Sequence, residues 1–141
     1  MTYDHQTISR LGVYGVAINN SKILLVIQAN GPYASCFDFP GGKIEFGETI
    51  EAALHREFVE ETGMDFASMT QIKNLTAQIE VPSKNGASPY TFHHIGLIYA
   101  VTGLFFASKQ QGELKYNWVD ICTLKRENVS PFVWDIVIAM S

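Results

Sequence analysis

Cysteine is nearly absent: Cys36 and Cys122 are the two in 141 residues. They form no Cys-x-x-Cys pair, which argues against a zinc knuckle, and so sparse a pair does not suggest a disulfide scaffold. The expectation is reduced thiols in a cytoplasmic protein. No run of Lys or Arg occurs, and 10 basic against 14 acidic residues leave a formal charge of −4. The electrostatic footprint of a nucleic-acid polymer binder is missing, so a phosphate-rich small molecule would need metal ions to be held. The N-terminal stretch MTYDHQTISR lacks an apolar core of the signal-peptide kind, and the longest apolar stretch, IGLIYAVTGLFFA, is broken by two glycines and Thr102. It is too short to span a bilayer, and neither secretion nor membrane insertion is expected. No Asp-x-Asp loop of the calcium-binding type, internal repeat or low-complexity tract is found.

What is present is the material of a core. Hydrophobic residues make up 47% of the chain and charged ones only 17%, which fits one folded domain over residues 1–141 rather than a disordered or coiled-coil chain. From Leu11 to Gln28, two runs rich in Val, Ile and Leu flank Asn19-Asn20-Ser21 and read as a β-hairpin. Residues 30–36 read as a loop, and FDFPGGKIEF as two short strands joined by a Pro-Gly-Gly turn. Segments 69–81 and 90–105 are strand-like, and 113–119 is a further strand. Ser130 as N-cap, followed by Pro131, opens a short amphipathic C-terminal helix, which could close either a core or a homodimer interface.

The strongest helix signal covers roughly 49 to 62. Thr49 is a plausible N-cap, Glu51 sits in the first turn and Gly63 is placed to end the helix. Advancing about 100° per residue from Ile50, Ala53, Leu54 and Phe58 fall on an arc from roughly −60° to +80°. Glu57, Glu61 and Glu60 fall at about −20°, +20° and −80°, on or beside that arc. Glu48, Glu51, His55 and Thr62 fall opposite, where a solvated face belongs. Like charges at spacings of three and four repel, and Glu60 and Glu61 also occupy the last turn, where the helix dipole disfavours anions. A hard divalent cation shared by the carboxylates offsets these penalties better than a solvated acidic face does.

Residues 42–64, GKIEFGETIEAALHREFVEETGM, fit the pattern G-x5-E-x7-R-E-U-x-E-E-x-G-U, U being a bulky apolar residue, through Gly42, Glu48, Arg56, Glu57, Phe58, Glu60, Glu61, Gly63 and Met64. On these residues the chain resembles the Nudix (MutT-like) hydrolases. The resemblance implies an α/β fold, an α/β/α sandwich around a central mixed β-sheet, and hydrolysis of a pyrophosphate bond in a nucleoside diphosphate linked to another group, with Mg²⁺ or Mn²⁺. It implies that Glu57, Glu60 and Glu61 are metal ligands, that the Gly41 carbonyl adds another, and that Arg56 orients a ligand glutamate with Glu48 as its salt-bridge partner. Many members use one more acidic residue from a later segment. Glu113 is the best-placed candidate for that role, its alternative being an exposed loop residue, and Glu80 is a weaker rival.

Tyr33 and Phe37, just before the motif, are the candidates to contact a nucleotide-like substrate. Phe37 and Phe39, alternating with Asp38, are also explained as core. His93 and His94 should face opposite sides of one strand and make a poor shared metal site. Lys84 could reach phosphate from a loop, though a solvated turn is the commoner use of such a stretch. Coupled carboxylates share their protons, so no single general base follows from residue type, and ADP-ribose, dinucleoside polyphosphates and oxidised nucleotides all remain open as substrates. The alternative to an enzyme is a catalytically silent nucleotide-binding module, which usually shows as a broken motif. Here no ligand position is replaced.

Overall fold

A computed structural model describes residues 6–107, 109 and 111–140. In chain order it contains β1 (Gln6–Val16), β2 (Ile18–Asn19), β3 (Lys22–Ile27), β4 (Phe37–Asp38), β5 (Gly41–Lys43), α1 (Ile50–Thr62), β6 (Met64–Asp65), β7 (Ser68–Val81), β8 (Tyr90–Thr102), β9 (Phe105–Phe106), β10 (Tyr116–Asp120) and α2 (Pro131–Ala139). One sheet has the order β5-β1-β8-β7; a second runs β10-β3-β2 with β4 added to β3; β6 and β9 form a small third pair. Within the main sheet, among the described residues, only β1 and β8 run parallel, from Gln6 opposite Tyr90 to Val16 opposite Ala100, so this sheet is mixed.

The two faces of the strands serve two helices. Val13, Leu24 and Val101 pack with Ala53, Leu54 and Phe58 of α1, whereas Tyr14, Ile23, Leu25 and Ile98 pack with Phe132, Val133 and Ile136 of α2. This is the period-two alternation of strands buried on both sides, and it gives the expected α/β/α sandwich. Gly96 makes close packing possible on the α2 side: a Cβ there would lie 2.4 Å from the Phe132 ring.

The hairpin expected over Leu11–Gln28 forms only in part. Asn20 and Ser21 do make its turn, with φ of 52° and 65°, but only β2 pairs back on β3. The long β1 joins β8 instead, which lets it bury both of its faces between the helices. The strand expected to reach residue 105 stops at Thr102, because Gly103 takes φ 72° and turns Phe105–Phe106 onto β6. The strand expected from 113 begins at Tyr116. Residues 113 and 114 are held elsewhere, their N–H groups donating to the Glu60 and Glu61 carbonyls at 2.8 and 3.1 Å. These bonds satisfy acceptors that a helix end would otherwise leave open.

Both helices start as their sequences predict. The Thr49 hydroxyl accepts from Ala52 N–H at 3.1 Å, the Ser130 hydroxyl accepts from Val133 N–H at 3.4 Å, and Gly63, at φ 75°, closes α1 by donating to the Val59 carbonyl. Thr62 departs from its expected solvated place: it is buried, and its hydroxyl donates to the Phe58 carbonyl at 2.7 Å. Its position one residue before the αL turn folds it under the loop that returns across the helix end. Among the described residues no helix is long and apolar enough to cross a membrane.

Candidate active site

The last two turns of α1 face the Pro-Gly-Gly turn that leads into β5. Gly41, at φ 149°, runs so close to β1 that a Cβ would lie 2.1 Å from the Val13 carbonyl oxygen. Its N–H donates to the Glu61 carboxylate at 3.0 Å. At Gly42 a Cβ would stand 2.7 Å from the carboxyl carbon of Glu57. Gly42 therefore leaves the space that the Glu57 carboxyl occupies, a physical use for the motif's first glycine, while Gly41 allows the turn to run against β1.

Arg56 holds this arrangement from the solvent side. Its guanidinium donates to both Glu48 oxygens at 2.7 Å, to Glu57 at 3.0 Å, to Glu60 at 3.3 Å and to the Lys43 carbonyl at 3.2 Å. The Glu45 N–H adds a bond to Glu48 at 2.8 Å. The fork-on-fork contact with Arg56 draws the Glu48 carboxyl down to about 2, as expected for a bidentate charge-assisted pair. Arg56, paired with Glu48, thus fixes the side chains of Glu57 and Glu60.

The inward carboxyls behave oppositely. Burial pushes Glu61 up to about 9, against the lowering effect of the Gly41 bond, with the charges of Glu57, Asp38 and Glu113 adding to the rise. Burial likewise raises Glu57, partly countered by Arg56. Glu113 is an exposed loop residue beside the end of α1, its N–H bonded to the Glu60 carbonyl, and its charge adds to the rise at both carboxyls. Glu80 is elsewhere, accepting from the Thr91 hydroxyl at 2.9 Å.

The donor set suits a hard divalent cation. It is all oxygen, and a carboxyl held near 9 is neutral at pH 7 until a cation favours its ionised form. Among the described residues no three His, Cys, Asp or Glu side chains converge on one point. Glu57 and Glu61 line the cavity, while Glu60, 44% exposed, is turned to Arg56.

That cavity, about 260 Å³, continues from Glu57, Glu61 and Lys43 to a wall of Arg10, Tyr33, Phe92 and His94. The Arg10 guanidinium lies 5.5 Å from the centre of the Phe92 ring, a cation–π distance. Tyr33, expected as an exposed loop contact, is instead 8% exposed. It stacks on His94 and shares a 2.8 Å hydrogen bond with the His94 Nδ1. Tyr14 meets Nε2 at 2.6 Å, so both ring nitrogens are engaged and His94 is no metal ligand. Burial lowers its pKa to about 4, which leaves a neutral ring that donates through one nitrogen and accepts through the other. His93, as alternation predicts, is on the exposed side. Phe37 packs against the α2 core and Phe39 is fully buried, so the core reading holds for both.

Sequence reasoning missed Asp38. This fully buried acid lines the cavity and accepts from the Phe39 N–H at 2.8 Å, the Ser130 hydroxyl at 2.7 Å and the Gln28 amide at 3.1 Å. Burial lifts it to about 6 despite these bonds. An acid inside the apolar run Phe37–Phe39 was the available signal.

Comparison with known proteins places this geometry. A family profile described as NUDIX domain matches residues 9–137. The ADP-ribose pyrophosphatase of Methanocaldococcus jannaschii is 37% identical over 75 residues, 53% of this chain and 42% of the relative. The 8-oxo-dGTP diphosphatase of Escherichia coli is 46% identical over 46 residues, 33% of this chain and 36% of the relative. The match therefore spans less than half the length of either. The crystal structure of a MutT NUDIX hydrolase from Burkholderia pseudomallei superposes with a TM-score of 0.68 at 19% identity, covering 95% of this chain and 99% of the other, and shares the fold.

Proposed function

The chain belongs to the NUDIX domain family, and from that premise we propose that it is a divalent-metal-dependent hydrolase of nucleotide-like small molecules. It cleaves the pyrophosphate bond of a nucleoside diphosphate linked to another group, or of a nucleoside triphosphate, by attack of water at phosphorus. The two relatives' names, ADP-ribose pyrophosphatase and 8-oxo-dGTP diphosphatase, span those two substrate forms. The observation that carries the reading is the pair of desolvated carboxyls, Glu57 and Glu61, seated against Gly42 and Gly41 in a cavity that also presents Lys43 and Arg10. With two cysteines, too few for a disulfide scaffold, the composition suits action in the cytoplasm.

Glu57, Glu60, Glu61 and the Gly41 carbonyl would hold Mg²⁺ or Mn²⁺. Such an ion supplies positive charge against the phosphate oxygens and favours ionisation of the attacking water. Arg56, braced by Glu48, keeps Glu57 and Glu60 in place and can release Glu60 toward the cavity. Lys43 beside the glutamates and Arg10 on the opposite wall neutralise phosphate charge. A carboxylate of the cluster, with Glu113 at its edge, accepts the proton that the water loses. Removing one ligand carboxylate while keeping its shape should therefore slow turnover sharply. Glu61→Gln and Glu57→Gln are each expected to reduce Mg²⁺-dependent kcat by on the order of a hundredfold or more, measured as phosphate or pyrophosphate release across a panel of nucleoside diphosphate derivatives and triphosphates. Unchanged turnover in both variants would refute the assignment, and a silent wild type that binds nucleotide would favour a binding module.

A further inference from the structure

The cavity wall that carries Arg10 and His94 forms beside a pair of glycines. β1 and β8 set Gly12 opposite Gly96 and Arg10 opposite His94. At Gly12 a Cβ would lie 2.5 Å from the Tyr14 hydroxyl oxygen, and at Gly96 it would lie 2.4 Å from the Phe132 ring. Tyr14 therefore lies along its own strand over Gly12, and Phe132 lies over Gly96, its ring centre 4.3 Å from that of His94. Tyr33 stacks on the same imidazole from the loop before β4, so His94 is enclosed by rings and held between two hydroxyls.

Three protons serve two hydrogen bonds here. His94 is 2% exposed, and burial lowers its pKa to about 4, so the ring is neutral. A neutral imidazole carries one N–H, and each tyrosine brings one O–H. The bonds are Tyr14 to Nε2 at 2.6 Å and Tyr33 to Nδ1 at 2.8 Å, and each consumes one proton. The ring donates in only one of them. One tyrosine therefore donates to the ring, while the other accepts from it and keeps its own proton. Among the described residues the two hydroxyls make these bonds and no other, so that third proton has no protein acceptor. A buried donor without an acceptor is costly, and both tyrosines line the cavity.

The two distances distinguish the tyrosines. O–H donors bond at shorter range than N–H donors, which makes the 2.6 Å contact Tyr14 donating to Nε2 and the 2.8 Å contact Nδ1–H donating to Tyr33. We propose that the Tyr33 hydroxyl, oriented through His94 by Tyr14, donates a hydrogen bond to an acceptor atom on the nucleoside part of the substrate. The inference rests on the hydrolase reading. The nucleoside is chosen over the phosphates because Phe92 and the Tyr33 ring give this wall aromatic faces, which suit a base, whereas Lys43 lies beside the glutamates. His94 and Tyr14 act as positioning residues: they hold Tyr33 as a donor, so a ligand that offers another donor at this point is disfavoured.

Two measurements test this. Long-range ¹H–¹⁵N NMR of the imidazoles in the wild type, at about pH 7, should show His94 as the Nδ1–H tautomer. The Nε2–H tautomer, or a protonated ring, overturns the assignment of Tyr33 and needs no turnover to do so. The second measurement uses Tyr33→Phe, which removes the hydroxyl and keeps the ring. KM for the nucleotide that the wild type hydrolyses fastest should rise roughly three- to tenfold, the range one hydrogen bond supplies, with kcat moving by less. The affinity for inorganic tripolyphosphate, which has phosphates but no nucleoside, should hold when measured by calorimetry with Mg²⁺. An unchanged KM, or equal losses for nucleotide and tripolyphosphate, overturns the proposal. Nucleotide binding to Glu61→Gln protein, with and without Tyr33→Phe, separates this failure from failure of the hydrolase reading. Affinity lost with Tyr33→Phe, in a protein whose wild type hydrolyses nothing, sinks the hydrolase reading and leaves the Tyr33 donor standing; equal affinity in an active hydrolase sinks the donor alone.

Discussion

Asp38→Asn isolates what a buried charge costs this protein. The side chain is fully buried, and its pKa rises from 3.8 to about 6. Below the lower value both folded and unfolded chains hold the proton, and burial carries no charge penalty. Between the two values the folded state binds more protons than the unfolded one, so stability falls as pH rises; above about 6 the whole penalty is present. At about 1.36 kcal/mol per pH unit the penalty is roughly 3 kcal/mol. Asparagine has the same shape, and its Oδ1 can still accept from Phe39 N–H and Ser130, while Gln28 needs only an amide flip to accept from the new NH₂. Hydrogen-bond changes shift the variant's stability by an amount that does not vary with pH. The titration contributes the part that does. Urea unfolding of wild type and variant from about pH 4.5 to 7.5 should therefore show the variant gaining about 2 kcal/mol on the wild type across that range. Parallel stability curves would refute the reasoning, because they would mean that Asp38 ionises in the fold as it does in the unfolded chain.

Two other perturbations follow from close approaches. Gly42→Ala puts a Cβ 2.7 Å from the Glu57 carboxyl carbon, so Glu57 must move; Mg²⁺ or Mn²⁺ affinity, read by calorimetry, should fall at least about tenfold while the thermal midpoint moves little, by analogy with losses on disturbing a metal site's support. Gly96→Ala sets a Cβ 2.4 Å from the Phe132 ring and should cost about 1–3 kcal/mol of stability by overpacking, with little change in metal binding; an unaltered denaturation midpoint would contradict the tight contact between β8 and α2.

The chain's own pattern determined α1. Its caps are local, its apolar arc repeats at the helical period, and the three glutamates fall on or beside it by spacing, so Glu57, Glu60 and Glu61 were legible without coordinates, whereas Arg56 and Glu48 entered through the resemblance to the Nudix hydrolases. α2 was legible for the same reason, through Ser130 and Pro131. Partner choice was not. β1 could have folded back on β3, and only burial of both its faces between two helices sends it to β8, some eighty residues away. That non-local pairing brings Arg10 and Tyr14 beside Phe92 and His94, and it converts Tyr33 from an expected surface ring into part of a buried wall. Asp38 became a charged group at the core only when α2 brought Ser130 against it. Local rules act within a few residues and leave marks in sequence; the cavity walls are sums of long-range contacts, whose energy exists only once the whole chain has closed around them.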